Sequence, residues 1–318
     1  MIDGQGRNIN YLRISVTDRC NLRCKYCMPE KGVEKIARED ILSYEEIDKI
    51  VGVMARLGVD KIRLTGGEPL VRPDIVTLVK KIRSHPQIRE ITMTTNGIYL
   101  EEMAEDLKKA GLNRVNISLD TLNPQGYREM TRGGDLKKAL KGIQAARQAG
   151  LTPIKINVVL INGFNDGEIE DFVAMTRDEA VDVRFIELMP IGEVANWSKS
   201  HFISNEEVLR RVPGLVPVKG DDPSSPATYY RLPRGKGKVG LISPISCKFC
   251  SLCNRIRLTS EGFLKPCLHS DEEIPLRPLV DSPDLLEATL RRTVFNKPAE
   301  HHLEEGKIIS RNMFKIGG

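Results

Sequence analysis

The sequence predicts an α/β protein: an incomplete, open barrel of six TIM-like (βα) units, followed by a C-terminal α+β segment. Three observations carry this expectation. Strand-like apolar runs alternate with helix-like segments as far as Pro190. Polar or glycine-rich stretches recur just after those runs, where such a barrel keeps its chemistry. After Pro190 the rhythm stops. Alternation of this kind argues for parallel strands joined by right-handed crossovers, and six units are too few for a full eight-fold ring.

The strands are expected at Tyr11–Val16, Lys61–Leu64, Ile88–Thr94, Arg114–Leu119, Ile154–Leu160 and Val183–Leu188. Between them, Ser43–Leu57 opens with a capping-box spacing, Ser43 and Glu46, and stops at Gly58. Asp74–Ser84 follows Pro73, a residue suited to an early helical position. Leu100–Ala110 ends at Gly111, Leu136–Ala149 at Gly150, and Asp166–Asp178 is the fifth helix. The strand-end stretches are Cys20–Cys27, Thr65–Pro69, Thr95-Asn96-Gly97, Ser118 with Asp120, Asn157 within its strand, and Glu187 with Met189 and Pro190. They should converge on one mouth. Beyond it, Gly192–Phe202 is irregular, Ser204–Arg211 a short helix, Gly220–Gly240 loops with short antiparallel strands, and Asp284–Thr293 a helix.

A chain of 318 residues suits one large α/β unit or two modest domains. The expected division is 1–220 for the barrel and 221–318 for the remainder. At 40% hydrophobic and 29% charged residues the composition is that of a soluble globular protein. No apolar stretch is long enough to span a membrane. The opening run MIDGQGRNINYLR has no apolar secretory core, and with this cysteine content it points to a reducing cytoplasm. The net charge of +5 is mild. Without a long Lys/Arg run, and with 5% aromatics, nucleic acid is not an expected partner. An anionic small substrate fits better.

Six of the seven cysteines fall into two triads. Cys20, Cys24 and Cys27 are spaced Cys-x3-Cys-x2-Cys within one loop. Three thiolates there can hold three irons of a four-iron cluster and leave the fourth open, whereas closed electron-transfer clusters and structural zinc sites take four ligands. Cys250, Cys253 and Cys267 form the second set. Between them Arg255–Thr259 alternates, Glu261-Gly262 turns and Phe263–Lys265 returns, a hairpin that would bring Cys267 beside the other two. Cys247 is left over and is expected to be a buried or neutral thiol. Zinc is the alternative: the pairs Cys24/Cys27 and Cys250/Cys253 supply four thiolates. They lie much further apart than the roughly 15–20 residues of a compact zinc module, and Cys20 and Cys267 would then have no role.

The first triad, with Tyr26 before its last cysteine, and the Gly66-Gly67-Glu68-Pro69 strand end resemble the signature of radical S-adenosylmethionine (SAM) enzymes. The second triad, the run Cys253-Asn254-Arg255-Ile256-Arg257 and the terminal Gly317-Gly318 narrow the resemblance to the GTP 3′,8-cyclase family of molybdenum cofactor biosynthesis. It extends over essentially the whole chain. The resemblance implies two [4Fe-4S] clusters, one on Cys20, Cys24 and Cys27 and one on Cys250, Cys253 and Cys267. It implies that SAM contacts Tyr26, Gly67, Ser118 and Met189. GTP would be held by Arg13, Arg63, Thr94, Lys155, Arg255, Ile256 and Arg257, with guanine on the open iron of the second cluster. Gly317 and Gly318 would enter the mouth as catalytic residues. The implied chemistry is reductive SAM cleavage, hydrogen abstraction from C3′ of GTP, and closure of C3′ onto C8. A flavodoxin or ferredoxin type electron donor, a homodimer and delivery of product to cyclic pyranopterin monophosphate synthase are further implications.

The residues themselves bear on these roles. A cation inside a barrel needs a counter-charge, so Arg13, Arg63 and Lys155 would pair either with an anion or with acids such as Glu68 and Glu187. A glycine lets backbone approach a ligand closely, which suits Gly67. The five histidines form no metal motif and are expected at the surface or in structural roles, and Trp197 is expected to pack.

Overall fold

The computed structural model describes residues 1–32, 36–220, 222–303, 309 and 311–317. Strands β1 (Tyr11–Ser15), β2 (Lys61–Thr65), β3 (Glu90–Thr95), β4 (Arg114–Ser118), β5 (Ile154–Leu160) and β6 (Val181–Glu187) lie side by side in that order, all parallel. Helices α1 (Tyr44–Arg56), α2 (Ile75–Arg83), α3 (Leu100–Lys109), α4 (Pro124–Met130), α5 (Leu136–Gln148) and α6 (Ile169–Asp178) fill the crossovers. All six expected strands and five expected helices are present, with ends shifted by up to three residues. The additional α4 is capped by Asn123 ahead of Pro124, a helix start that the sequence does contain.

Local chemistry explains the best-defined ends. Ser43 Oγ accepts from Glu46 N at 3.1 Å while Glu46 Oε2 accepts from Ser43 N at 2.7 Å, closing the capping box of α1. Helices α3 and α5 approach at Gly142, where a Cβ would overlap the Gly97 carbonyl. The strand–helix interface is filled by fully buried side chains such as Ile14, Leu64, Met93, Ile117, Ile156 and Phe185.

The C-terminal part is not a separate body beside the barrel. After α7 (Ala195–Ser200) and α8 (Glu206–Arg211) come β7 (Val216–Val218), β8 (Ala227–Arg231) and β9 (Val239–Ile242), then β10 (Arg255–Leu258), β11 (Phe263–Lys265) and β12 (Ile274–Pro275). Strand β9 adds to β6 and β10 adds to β1, both parallel, so the late strands extend both edges of the barrel. The described strands form one twelve-stranded sheet that ends at β12 and β7 and stays open. The expected division at residue 220 falls between β7 and β8, which pair antiparallel. The hairpin β10–β11 forms as anticipated. Helices α9 (Pro283–Phe295) and α10 (Met313–Ile316) complete the chain. No helix among the described residues is long and apolar enough to cross a membrane.

Candidate active site

The C-terminal ends of the parallel strands surround two adjoining cavities of about 200 and 210 Å³. Asn157, Ile186, Met189 and Met313 line both.

The first cavity is walled by the loop after β1, which carries Cys20, Cys24 and Cys27. That loop is fixed by its neighbours. Arg23 N and Lys25 N donate to the carbonyls of Thr131 and Met130, and Arg132 Nη1 donates to those of Arg23 and Met28, both at 2.8 Å. Opposite it, Glu68 accepts from Thr95 Oγ1 and Asn96 N, each at 2.7 Å, and burial pushes its carboxyl up to about 7. Asp120 accepts from Tyr26 Oη and Val159 N, each at 2.8 Å, and burial raises it to about 6. Gly67 N donates to Thr17 O at 2.7 Å, and a Cβ on Gly67 would overlap the Arg19 carbonyl. The missing side chain therefore admits the cysteine loop's own backbone, a reason beyond ligand approach. Gly67→Ala is expected to displace that loop, at about 1–3 kcal/mol of overpacking, and to lower iron uptake by the first triad, read from iron content after reconstitution.

The donor set fits a cluster. Burial is the main cause that lifts Cys20 and Cys27 to about 12 and Cys24 well above its usual range; acidic neighbours and the other thiols add to it. Three thiols of this kind ionise together only around a cationic core. A cluster gives each thiolate its own iron.

The second cavity is strongly cationic. Arg13, Arg63, Arg184, Arg255, Arg257 and Lys297 line it, and among the described residues no Asp or Glu does. In the sheet register Arg13 lies between Arg63 on β2 and Arg257 on β10. Burial, then Arg257 and Arg63, push Arg13 well below its usual range; burial chiefly brings Arg63 and Arg257 to about 10. Arg184 donates twice to Asn157 Oδ1, at 3.0 and 2.6 Å. Cys250, Cys253 and Cys267 line this same cavity, beside His269 and His301. Burial acts to raise Cys253, but Lys297, Arg255 and Arg7 outweigh it and the thiol is lowered, a setting suited to thiolate ligation.

The fold thus brings Tyr26, Gly67, Ser118 and Met189 to the first triad and Arg13, Arg63, Arg255 and Arg257 to the second. Thr94 lines the first cavity instead. Lys155 lies outside the lining, 3.7 Å from Asp182 and 3.3 Å from Tyr229 Oη. The side chain of Ile256 is fully buried in the core, as alternation between Arg255 and Arg257 requires. Glu187 is no partner for the arginines: it accepts from the backbone of Asn205, Ile245 and Ser246. Gly317 is left-handed at φ 81, and its carbonyl accepts from Arg257 Nη1. A Cβ there would overlap Thr65 Oγ1. Gly318 lies outside the described residues.

Cys247 is exposed, so the buried alternative does not hold. His301 is buried, with its ring 4.5 Å from that of His269 beside the second triad, so of the two expected placements it takes the structural one. Sequence reasoning placed Asp120 and Asn157 at the mouth, as found, but gave no site role to Arg184, His269 or Lys297. For Arg184 the signal was available, a charge inside an apolar strand run; for His269 and Lys297 spacing carries none.

Comparison with known proteins agrees with this geometry. The radical SAM superfamily profile matches residues 14–176, and that of Molybdenum Cofactor Synthesis C matches residues 181–303. The GTP 3′,8-cyclase of Peptoclostridium acidaminophilum is 59% identical over 320 residues, 100% of this chain and 98% of the relative. That of Alkaliphilus metalliredigens is 53% identical over 321 residues, 100% of both chains. Among solved structures, Streptococcus suis SuiB bound to S-adenosylmethionine has a TM-score of 0.63 at 17% identity, over 89% of this chain and 68% of that one. Methylornithine synthase (PylB) has a TM-score of 0.51 at 16% identity, over 65% and 62%. These two bear on the fold. The two profiles and the full-length relatives make the chain a member of the radical SAM superfamily and, within it, of the GTP 3′,8-cyclase family.

Proposed function

We infer that the protein converts GTP to (8S)-3′,8-cyclo-7,8-dihydroguanosine 5′-triphosphate, the first step of molybdenum cofactor biosynthesis. The observation that carries this is the second cavity: five arginines gathered in one lining, beside a cysteine triad and adjoining the SAM-type cavity. Such a cavity calls for a polyanion, and guanidinium forks match phosphate oxygens.

When bound at Cys20, Cys24 and Cys27, the cluster and SAM supply a hydrogen-abstracting organic radical. The chain's own residues do the rest. Asp120 fixes Tyr26 at the rim, and the Gly67 strand end with Ser118 and Met189 forms the SAM wall. Arg13, Arg63, Arg255 and Arg257 hold the triphosphate, with the backbone of Ile256 between the last two. Thr94 and Lys155 support the ribose side and the outer phosphate side. Cys250, Cys253 and Cys267 would hold a further [4Fe-4S] cluster, which would supply an open iron for the guanine. Apolar Ile186, Met189 and Met313 separate the two ligands from water. Gly317 and Gly318 close the mouth. Functionally, 1–220 prepares the radical and contributes Arg13 and Arg63 to the nucleotide site, and 221–318 contributes Arg255, Arg257 and the second triad. A flavodoxin or ferredoxin type donor, a homodimer and delivery of product to cyclic pyranopterin monophosphate synthase complete the reading, in the reducing cytoplasm that two clusters require.

The test is anaerobic reconstitution, then incubation with reductant, SAM and GTP deuterated at C3′. Cyclic product should form and 5′-deoxyadenosine should carry the deuterium. Unlabelled 5′-deoxyadenosine accompanying the product would refute C3′ as the site of abstraction. Arg184→Ala should raise the Kd for GTP by about tenfold, or ~1.4 kcal/mol, and leave SAM affinity unchanged, both measured by equilibrium binding.

A further inference from the structure

The N-terminal ten residues carry none of the chemistry described above, yet they are built into the second triad. Asp3 and Arg7 form a buried pair at 2.7 Å, with the Asp3 side chain 0% exposed. Asp3 Oδ1 also accepts from Gln5 N and Arg7 N, which shapes the turn closed by the Ile2–Asn8 bridge. All the guanidinium N–H groups of Arg7 are then directed at acceptors. Nε takes Asp3; Nη1 donates to Cys250 O at 2.8 Å and Ala299 O at 2.9 Å; Nη2 donates to Pro298 O at 2.7 Å and Lys297 O at 3.4 Å.

The carbonyls of Lys297, Pro298 and Ala299 lie just past the C-terminal end of α9, where unsatisfied backbone oxygens and the helix dipole favour a cation. Gly4 docks at the same place: its N donates to Phe295 O at 2.9 Å, and a Cβ there would lie 2.8 Å from that oxygen. From the segment so fixed, Lys297 Nζ reaches Pro266 O at 2.6 Å, the carbonyl next to Cys267. One chain of contacts therefore joins Cys250, through Arg7 and residues 297–299, to the strand end bearing Cys267. Hairpin β10–β11 alone does not fix that relation.

We propose that Arg7 is a positioning residue for the second cysteine triad, setting the spacing of Cys250 and Cys267 through the carbonyls beyond α9. It rests on the reading that this triad holds a cluster. Groups that orient ligands in this way typically affect metal affinity by about 10–100-fold. Lysine cannot replace the guanidinium, because its donors diverge from one point instead of spreading as a planar fork.

The experiment compares the whole reconstituted protein as wild type, Arg7→Lys, Asp3→Asn and Cys250→Ala. Readouts are iron per chain, circular dichroism, and the electron paramagnetic spectrum of the reduced protein with and without GTP. For Arg7→Lys, iron should fall about twofold, as expected for loss of one of two four-iron clusters. The GTP-dependent spectral change should vanish, while the SAM-dependent change and the circular dichroism persist. If Arg7→Lys does not fold, Asp3→Asn, which removes the counter-charge that aims the guanidinium at those carbonyls, should raise the GTP concentration giving half the spectral change by about tenfold. Full iron and an unaltered GTP response in the folded Arg7→Lys protein, or an unaltered Asp3→Asn protein, would overturn the assignment. Cys250→Ala separates the two levels. If it keeps all its iron, the cluster reading itself fails. If it loses half while Arg7→Lys loses none, only the role of Arg7 fails.

Discussion

Cys250→Ser should cleave SAM and make no cyclic nucleotide. The first cavity is complete without Cys250, since its thiols, Gly67, Ser118 and Met189 all belong to the barrel half of the chain. The lost element lies in the second cavity, where Cys250, Cys253 and Cys267 face the arginines proposed to hold the polyphosphate. With the purine no longer fixed, C8 and C3′ meet only by chance, and orientation of reacting atoms is worth about 7–11 kcal/mol in favourable cases. Cyclisation should fall by more than about a thousandfold, while methionine release continues at a reduced, uncoupled rate. Chromatography of methionine, 5′-deoxyadenosine and nucleotide from one incubation measures all three. Undiminished cyclic product would remove the second triad from the mechanism.

The second large effect concerns the C-terminal turn. Gly317→Ala should depress cyclisation by at least about a hundredfold, the scale of a 1 Å misplacement in an active site. Two causes act together. A left-handed backbone at φ 81 disfavours alanine by about 1–2 kcal/mol, and the new methyl would overlap Thr65 Oγ1 at the end of β2. The turn would move, and with it the carbonyl that accepts from Arg257 and the Met313 side chain that lines both cavities. A Thr65→Ala change in the same protein should recover part of the activity, because it removes the steric cause and leaves the backbone cause. Deleting Gly317 and Gly318 should match or exceed the loss. Normal turnover by the truncated protein would exclude the tail from the reaction.

The legible parts of this protein were those governed by local rules. The Ser43–Glu46 box, the glycines after α3 and α5 and the period of apolar residues placed the barrel elements, because caps and amphipathic faces act within a few residues. Cysteine spacing gave both triads for the same reason: each set of ligands comes largely from one loop or hairpin. Strand alternation aimed Arg13, Arg63, Arg255 and Arg257 to one side and Ile256 to the other. Thr94 and Lys155 were less predictable, since a position on a strand does not say which of two adjoining cavities a side chain meets.

What the sequence by itself determined is the parallel six-unit barrel, the two thiol triads and the resemblance that names the chemistry. Only the tertiary structure decided that β9 and β10 extend opposite edges of that barrel, which makes the two cavities adjoin through Asn157, Ile186, Met189 and Met313. It alone joined His301 to His269 and Arg7 to Cys250. The reason is physical: periodicity and spacing report interactions between near neighbours in the chain. The pairing of β10 with β1 and the contact of Arg7 with Cys250 bring together residues more than two hundred positions apart, and such contacts are selected by how the whole core packs.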